Sequence, residues 1–170
     1  ENFDITSGYR KSIGQEVYVF NPFAEDRKTH RWNPFRYIPS DPALRVGELR
    51  NLAHMLYPDG DGSGNQQFFI DHARNVFLAL SLYLFETHEL NKLFKHGEPH
   101  PTFGWLYRTA AGGSKDALKA HLGKLAGKDY LSETCTTAFA GFLSQAEETF
   151  ASIMGSFNAP LTAWADPVLD

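Results

Sequence analysis

Residues 65–90, NQQFFIDHARNVFLALSLYLFETHEL, constrain the fold of this chain more than any other stretch. They contain no Gly or Pro, and Val76–Phe85 is apolar at every position except Ser81. A helix that is apolar nearly all round must be covered on nearly all sides, so the flanking segments have to supply its packing partners. The apolar run falls short of the roughly 20 residues that a bilayer crossing needs. Asp71, His72, Arg74 and Glu86 also flank it closely. It therefore reads as the central core helix of a mainly α protein, a helical bundle.

The rest of the chain is long enough to build that cover. With 170 residues, 42% of them hydrophobic and 21% charged, it fits a single domain of ordinary soluble composition. One cysteine, Cys135, excludes an internal disulfide. Residues 1–11 lack the apolar core of a secretory signal, and the absence of an initiator Met is compatible with a chain excised from something longer.

Taken in order, residues 2–14 form a short helix with Phe3, Tyr9 and Ile13 as an imperfect stripe and Gly14 at its end. Glu16–Phe20, EVYVF, has the β-branched and aromatic pattern of a strand, stopped by Pro22. Nothing later pairs with it, so its sheet lies outside this sequence or it is an arm. Residues 24–40 read as a polar, Pro-punctuated linker. Asp41 then caps a helix with Pro42 in its first turn and Leu44, Leu49, Leu52, Ala53 and Leu56 on one face, closed by Pro58. After the central helix, Pro and Gly break residues 95–101, Thr102 caps a short aromatic helix, and Gly112-Gly113 ends it. Ser114 caps the next helix, with Leu118, Leu122 and Leu125 inward and Lys115, Lys119, Lys124 and Lys128 outward. A last long helix over 132–156 carries the stripe Cys135, Phe139, Phe142, Ala146, Phe150, Ile153 and Phe157.

Catalytic and metal chemistry find little support. Asp59-Gly60-Asp61-Gly62-Ser63-Gly64 matches the opening of an EF-hand loop, but the twelfth place, which should be a bidentate Glu, is Ile70. His96 and His100 are separated by Gly97 and Pro99, which prevent the helix that would align them as zinc ligands. His72 belongs at the edge of the core, and Cys135 lies in an apolar stripe where a thiol is inert. No phosphate loop of the form GxxxxGK[ST] occurs, so the chain alone is not expected to be an enzyme or to hold a cofactor or metal.

The net charge of −4 and pI near 6.0 oppose a dedicated nucleic-acid binder. The charge is unevenly spread: residues 108–128 hold five basic side chains and one acid, whereas 131–170 contain no Lys or Arg. Aromatic residues number 24, more than a core of this size needs, and aromatic and Arg side chains dominate binding hot spots. Phe94, Phe103, Trp105, Tyr107 and Arg108, with Lys119 and Lys124 on the neighbouring helix, are therefore the candidate protein-binding residues. The same aromatics could equally fill the core, and the lysines could simply be a solvated face.

In their order, the segments resemble the coupling proteins of type IV secretion systems, the TraG/TraD-type ATPases. In that family a strand ending in Asp-x-Lys-Gly-Glu leads to a helix, a strand and an Asn-Pro block, after which an all-α domain interrupts a RecA-like ATPase core. Glu1 corresponds to the Glu of that stretch, Arg10 and Gly14 to the helix end, VYVFNPF to the strand and Arg31-Trp32-Asn33-Pro34 to the entry into the insertion. Leu52-Ala53, Leu56, Phe69, Ala73-Arg74 and Phe77 continue the similarity, and Pro160-Leu161, Trp164 and Asp166-Pro167 match the return to the core. Residues 91–128 carry no family motif.

The resemblance implies three parts: 1–33 from the nucleotide-binding domain (helix plus lone strand), 34–165 as an all-α substrate-recognition domain, and 166–170 re-entering the ATPase core. It further implies a module that binds C-terminal secretion signals of effector proteins or their adaptors, on the cytoplasmic side of the bacterial inner membrane. ATP and Mg²⁺ would belong to the full-length parent. Neither direct nucleic-acid binding nor membrane contact is expected of this part. The competing expectations are a structural or oligomerisation module touching other secretion-system components, and a relaxase- or DNA-contacting domain using the basic segment 108–128.

Overall fold

A computed structural model describes residues 2–26, 28–60, 64–94, 97, 99–112 and 117–166, with side chains from residue 4 onward. The described residues form seven α-helices: α1 Asn2–Ser12, α2 Pro42–Leu56, α3 Gly64–Phe94, α4 Phe103–Ala111, α5 Leu118–Ala126, α6 Glu133–Leu143 and α7 Glu147–Asn158. Two 3-10 turns, Pro34–Tyr37 and Ala159–Ala165, flank the bundle, and no strand occurs among the described residues. The mainly α bundle expected from the sequence is what forms.

Helix α3 is the axis, as its composition requires. Its residues Ala73 and Val76–Leu82 are buried, and α6, α7, α2 and α4 pack around it. By length and composition alone this 31-residue helix could cross a membrane, contrary to the sequence reading that its apolar run is too short. More than half of the qualifying window is covered by the other helices, which assigns those side chains to the core.

Local signals set several boundaries. Asp41 accepts from the Ala43 N–H at 2.9 Å with Pro42 in the first turn, and Thr102 accepts from the Trp105 N–H at 3.1 Å. Gly14, at φ 80°, closes α1: its N–H reaches the Lys11 carbonyl at 3.0 Å and the Gln15 N–H reaches that of Arg10 at 3.0 Å.

Other expectations are corrected. Residues 16–20 form no strand and join no sheet among the described residues. They fold back on Thr29 and His30, where the His30 N–H reaches the Val19 carbonyl at 2.8 Å and Thr29 Oγ1 accepts from the Asn21 N–H at 2.9 Å. Segment 24–40 is more than linker, because Pro34 and Phe35 are buried in it. The single helix expected over 132–156 breaks after Leu143. Ser144 and Gln145 side chains both turn back on the Gly141 carbonyl, Ala146 is extended, and Glu147-Glu148 start a new helix with acids at its positive end. Ala146, expected in the core stripe, is consequently exposed. The cap expected at Ser114 lies outside the described residues, and α5 starts at Leu118 after Ala117.

On α2 the buried face is Arg45, Leu49, Ala53 and Tyr57, while Leu44, expected inward, is 59% exposed. The i, i+4 spacing of those four residues is the face that meets α3. An Arg enters it because its charge is fully partnered there, as described next.

Candidate functional site

The candidate recognition residues begin on α4. Phe103 packs edge-on against Phe35 at 4.8 Å and Trp164 at 4.9 Å, and also touches Phe77 at 6.0 Å. At 2% exposed it belongs to the core, so the structure removes it from the surface set. Trp105 and Tyr107 are half-buried against the core, Arg108 is exposed, and Phe94 stands 79% exposed at the end of α3.

Lys119 and Lys124 part company as well. Lys124 faces outward, whereas Lys119 turns in to the α6–α7 break. Its ammonium donates to the Gln145 carbonyl at 2.6 Å, lies 5.6 Å from the Phe150 ring centre and is 3.7 Å from Glu147. That carbonyl has lost its helical partner at the break, so Lys119 caps it. The outward stripe expected on α5 is thus reduced at this position.

The Asn33-Pro34 segment and Trp164 meet at the start of α4. Asn33 accepts from the Phe35 N–H at 3.0 Å and donates to the Pro101 carbonyl at 2.8 Å, fixing the turn that drives Phe35 against Phe103. Trp164 reaches Phe103 from the other end of the chain. Phe103 therefore joins the two necks of the helical part.

Two arginines, missed as functional anchors by the sequence reading, tie α2 to α3. Arg45, only 1% exposed, pairs with Glu89, donates to the carbonyls of Pro39 at 3.3 Å and Ser40 at 2.6 Å, and lies 5.2 Å from the Phe85 ring centre. Arg74 binds Asp59 at 2.7 Å, Asp71 at 3.0 Å and the Tyr57 carbonyl at 2.6 Å. The Arg74 guanidinium holds the Asp59 carboxyl below its ordinary range. Asp59, first in the EF-hand-like run, is thus engaged by an arginine, and Asp61 and Ser63 lie outside the described residues. The only foreshadowing of Arg45 was its i, i+4 spacing from Leu49.

Cys135 and His100 are held by packing. The Cys135 thiol is buried 3.5 Å from the Ala79 carbonyl, and burial, with a smaller effect of Glu86, pushes its pKa up to about 12. His100 rests edge-on to Phe85 at 5.6 Å and beside His88 at 5.4 Å, and burial lowers its pKa. His96 lies outside the described residues, as do Lys115 and Glu98. Among the described residues no cluster of three His, Cys, Asp or Glu side chains is placed to hold a metal.

A groove of about 190 Å³ between α2 and α3 is lined by Arg50, Ala53, His54, Asp71, Arg74, Asn75 and Leu78. A recess of about 410 Å³ lies between α1 and the extended segment, among Ser7, Gly8, Lys11, Glu16, Val17, Tyr18 and His30.

Against known proteins, a family model described as "Type IV secretory system Conjugative DNA transfer" matches residues 1–170. The chain belongs to this family. Its relatives include the VirD4 protein of Rhizobium rhizogenes and that of Agrobacterium fabrum, each 31% identical over 172 aligned positions covering 99% of this chain and 23% of the relative. VirD4 of Rhizobium radiobacter is 31% identical over 175 positions, covering 99% of the chain and 22% of the relative. This coupling-protein segment thus spans less than a quarter of the length of the relatives it matches. Several positions that carried the resemblance prove to be packing positions. Ala53, Ala73, Phe77 and Leu161 are buried, and Arg74 and Trp164 make the tethers described above.

Proposed function

We propose that the helical part of this coupling-protein segment, residues 34–165, is its substrate-recognition module, and that it binds the protein component of the cargo through secretion signals. The supporting observation is the charge of α6, α7 and the turn after them. Residues 131–166 of α6, α7 and the turn after them carry Glu133, Glu147, Glu148 and Asp166 and no Lys or Arg, within a chain of net charge −4. Nucleic-acid backbones bind by releasing counterions to lysines and arginines, which such a surface does not supply. Nucleotide and Mg²⁺ chemistry, and attachment to the cytoplasmic face of the inner membrane, are assigned to the rest of the full-length protein.

Titrating the labelled chain with C-terminal signal peptides of its cognate cargo is the direct test. A contiguous set of shifted NMR resonances on the helical part is expected; no shifts with any cognate cargo overturns the reading.

A second reading is favoured by Arg108 on α4, Lys124 on α5 and Lys128 just after it, all exposed, together with the conjugative description of the family. There the module would contact a relaxase or its DNA. DNA affinity that falls steeply with salt, and that vanishes on reversing Lys124 and Lys128, would replace the protein-cargo reading with this one.

A further inference from the structure

Three arginines sit along α2 and the facing part of α3, and two of them are committed. Arg45 holds Glu89 and two carbonyls; Arg74 holds Asp59, Asp71 and the Tyr57 carbonyl. Arg50 makes no hydrogen bond or ion pair among the described residues, yet it lines the α2–α3 groove. His54 lines it one turn further along α2. Ala53 and Leu78, 1% and 5% exposed, form an apolar floor. Asn75 is held in the wall by its bond to the Ala138 carbonyl at 2.9 Å.

We propose that this groove is a carboxylate-binding subsite for a peptide segment of the cargo, with the ligand's carboxylate on the Arg50 guanidinium and its adjoining apolar side chain over Ala53 and Leu78. The proposal rests on the recognition reading above and names the chemistry that reading would use. A guanidinium offers a planar fork that matches a carboxylate with two parallel hydrogen bonds. The α3 wall is set before the ligand arrives, with Arg74 locked by three partners and Asn75 by α6, so the ordering required on binding falls on the Arg50 side chain.

The same walls limit the ligand. At about 190 Å³ the groove admits about one residue of a peptide. Asp71, pinned by Arg74 at 3.0 Å and Gln67 at 2.8 Å, places a fixed negative charge beside the cations. One carboxylate is tolerated there. A polyanion meets repulsion at Asp71 and finds a single uncommitted guanidinium.

A carboxylate can come from a chain terminus or from an acidic side chain, and three peptides separate these sources. The probes are acetyl-Gly-Ser-Ala-Leu with a free carboxyl end, the same peptide as its amide, and acetyl-Gly-Ser-Asp-Leu amide, titrated into the labelled 170-residue chain. Saturable shifts at Arg50, His54 and Asn75 are expected with a carboxylate-bearing peptide and not with the neutral amide. Binding of the free-ended peptide alone assigns the terminus, and binding of the Asp peptide assigns the side chain. Arg50→Glu should weaken that binding at least tenfold and Arg50→Lys less, with the melting midpoint of both unchanged because Arg50 is exposed. Equal binding of the neutral amide, no binding of either carboxylate peptide, or an unaltered affinity in Arg50→Glu overturns the proposal. Cognate cargo that binds wild type and Arg50→Glu equally also overturns it while leaving the recognition reading intact; cargo that fails to bind wild type removes the recognition reading instead.

Discussion

Asn33 donates its side-chain amide to the carbonyl of Pro101 at 2.8 Å, across 68 positions of sequence. The same side chain accepts from the Phe35 N–H, so one residue both shapes the entry turn and fastens it to the start of α4. Asn33→Ala removes both bonds and leaves a partly buried carbonyl without its donor, a loss of about 1–3 kcal/mol. Urea denaturation should show a lower midpoint with an unchanged slope.

Phe103 joins Phe35, Phe77 and Trp164 in one aromatic cluster. Truncation to Ala should lower stability by about 3–5 kcal/mol through the cavity left behind. Lys128→Glu, at an exposed position after α5, should stay within about 0.5 kcal/mol of wild type. Thermal melting compares the two; an unchanged midpoint for Phe103→Ala would return that residue to the surface.

The Arg45–Glu89 pair is unequal, with side chains 2% and 45% exposed. Glu89→Ala leaves a buried guanidinium short of its counter-charge. The cost is about 1–3 kcal/mol, below that of a fully buried pair because water screens the open side of Glu89. Adding Arg45→Met, which removes the stranded charge at similar volume, should recover part of that loss. A double-mutant cycle measures this, and strictly additive losses would show that the two residues do not act together.

Burial first, and then Arg36 and Lys92, hold the His100 pKa below the ordinary histidine value, against the opposing bond to the Pro101 carbonyl. The unfolded chain therefore takes up the proton more readily than the folded one. This contribution is complete above about pH 6.5 and is lost as pH falls through that value towards the lower folded pKa. Melting midpoints from pH 7.5 to 5 should fall less for His100→Asn than for wild type, and parallel curves would contradict the assignment.

How much of this was readable beforehand depended on the range of the interaction. The α3 core, the Asp41 and Thr102 caps and the Gly14 stop all rest on residues within a few positions of one another, and all appear where the local pattern places them. The helix over 132–156 failed because its stripe kept period across Ser144–Ala146. Side chains returning to the Gly141 carbonyl and a lysine from α5 stabilise the break, and hydrophobic spacing carries no trace of either. The strand expected at 16–20 formed no ladder, since its neighbours Thr29 and His30 supply a few side-chain and main-chain bonds only.

The candidate site shows the same division. Its aromatic residues were singled out by composition, which could not separate core from surface. Phe103 points into the cluster, Arg108 points out and Lys119 turns back to cap a carbonyl. The sequence by itself determined that α3 must be enclosed, because a continuous apolar run has no other favourable state in water. Which residues enclose it, and which charges are partnered or left over, only the tertiary structure decided. Arg45, Arg50 and Arg74 are chemically the same side chain, and what distinguishes them is the set of groups that folding brings within hydrogen-bond reach.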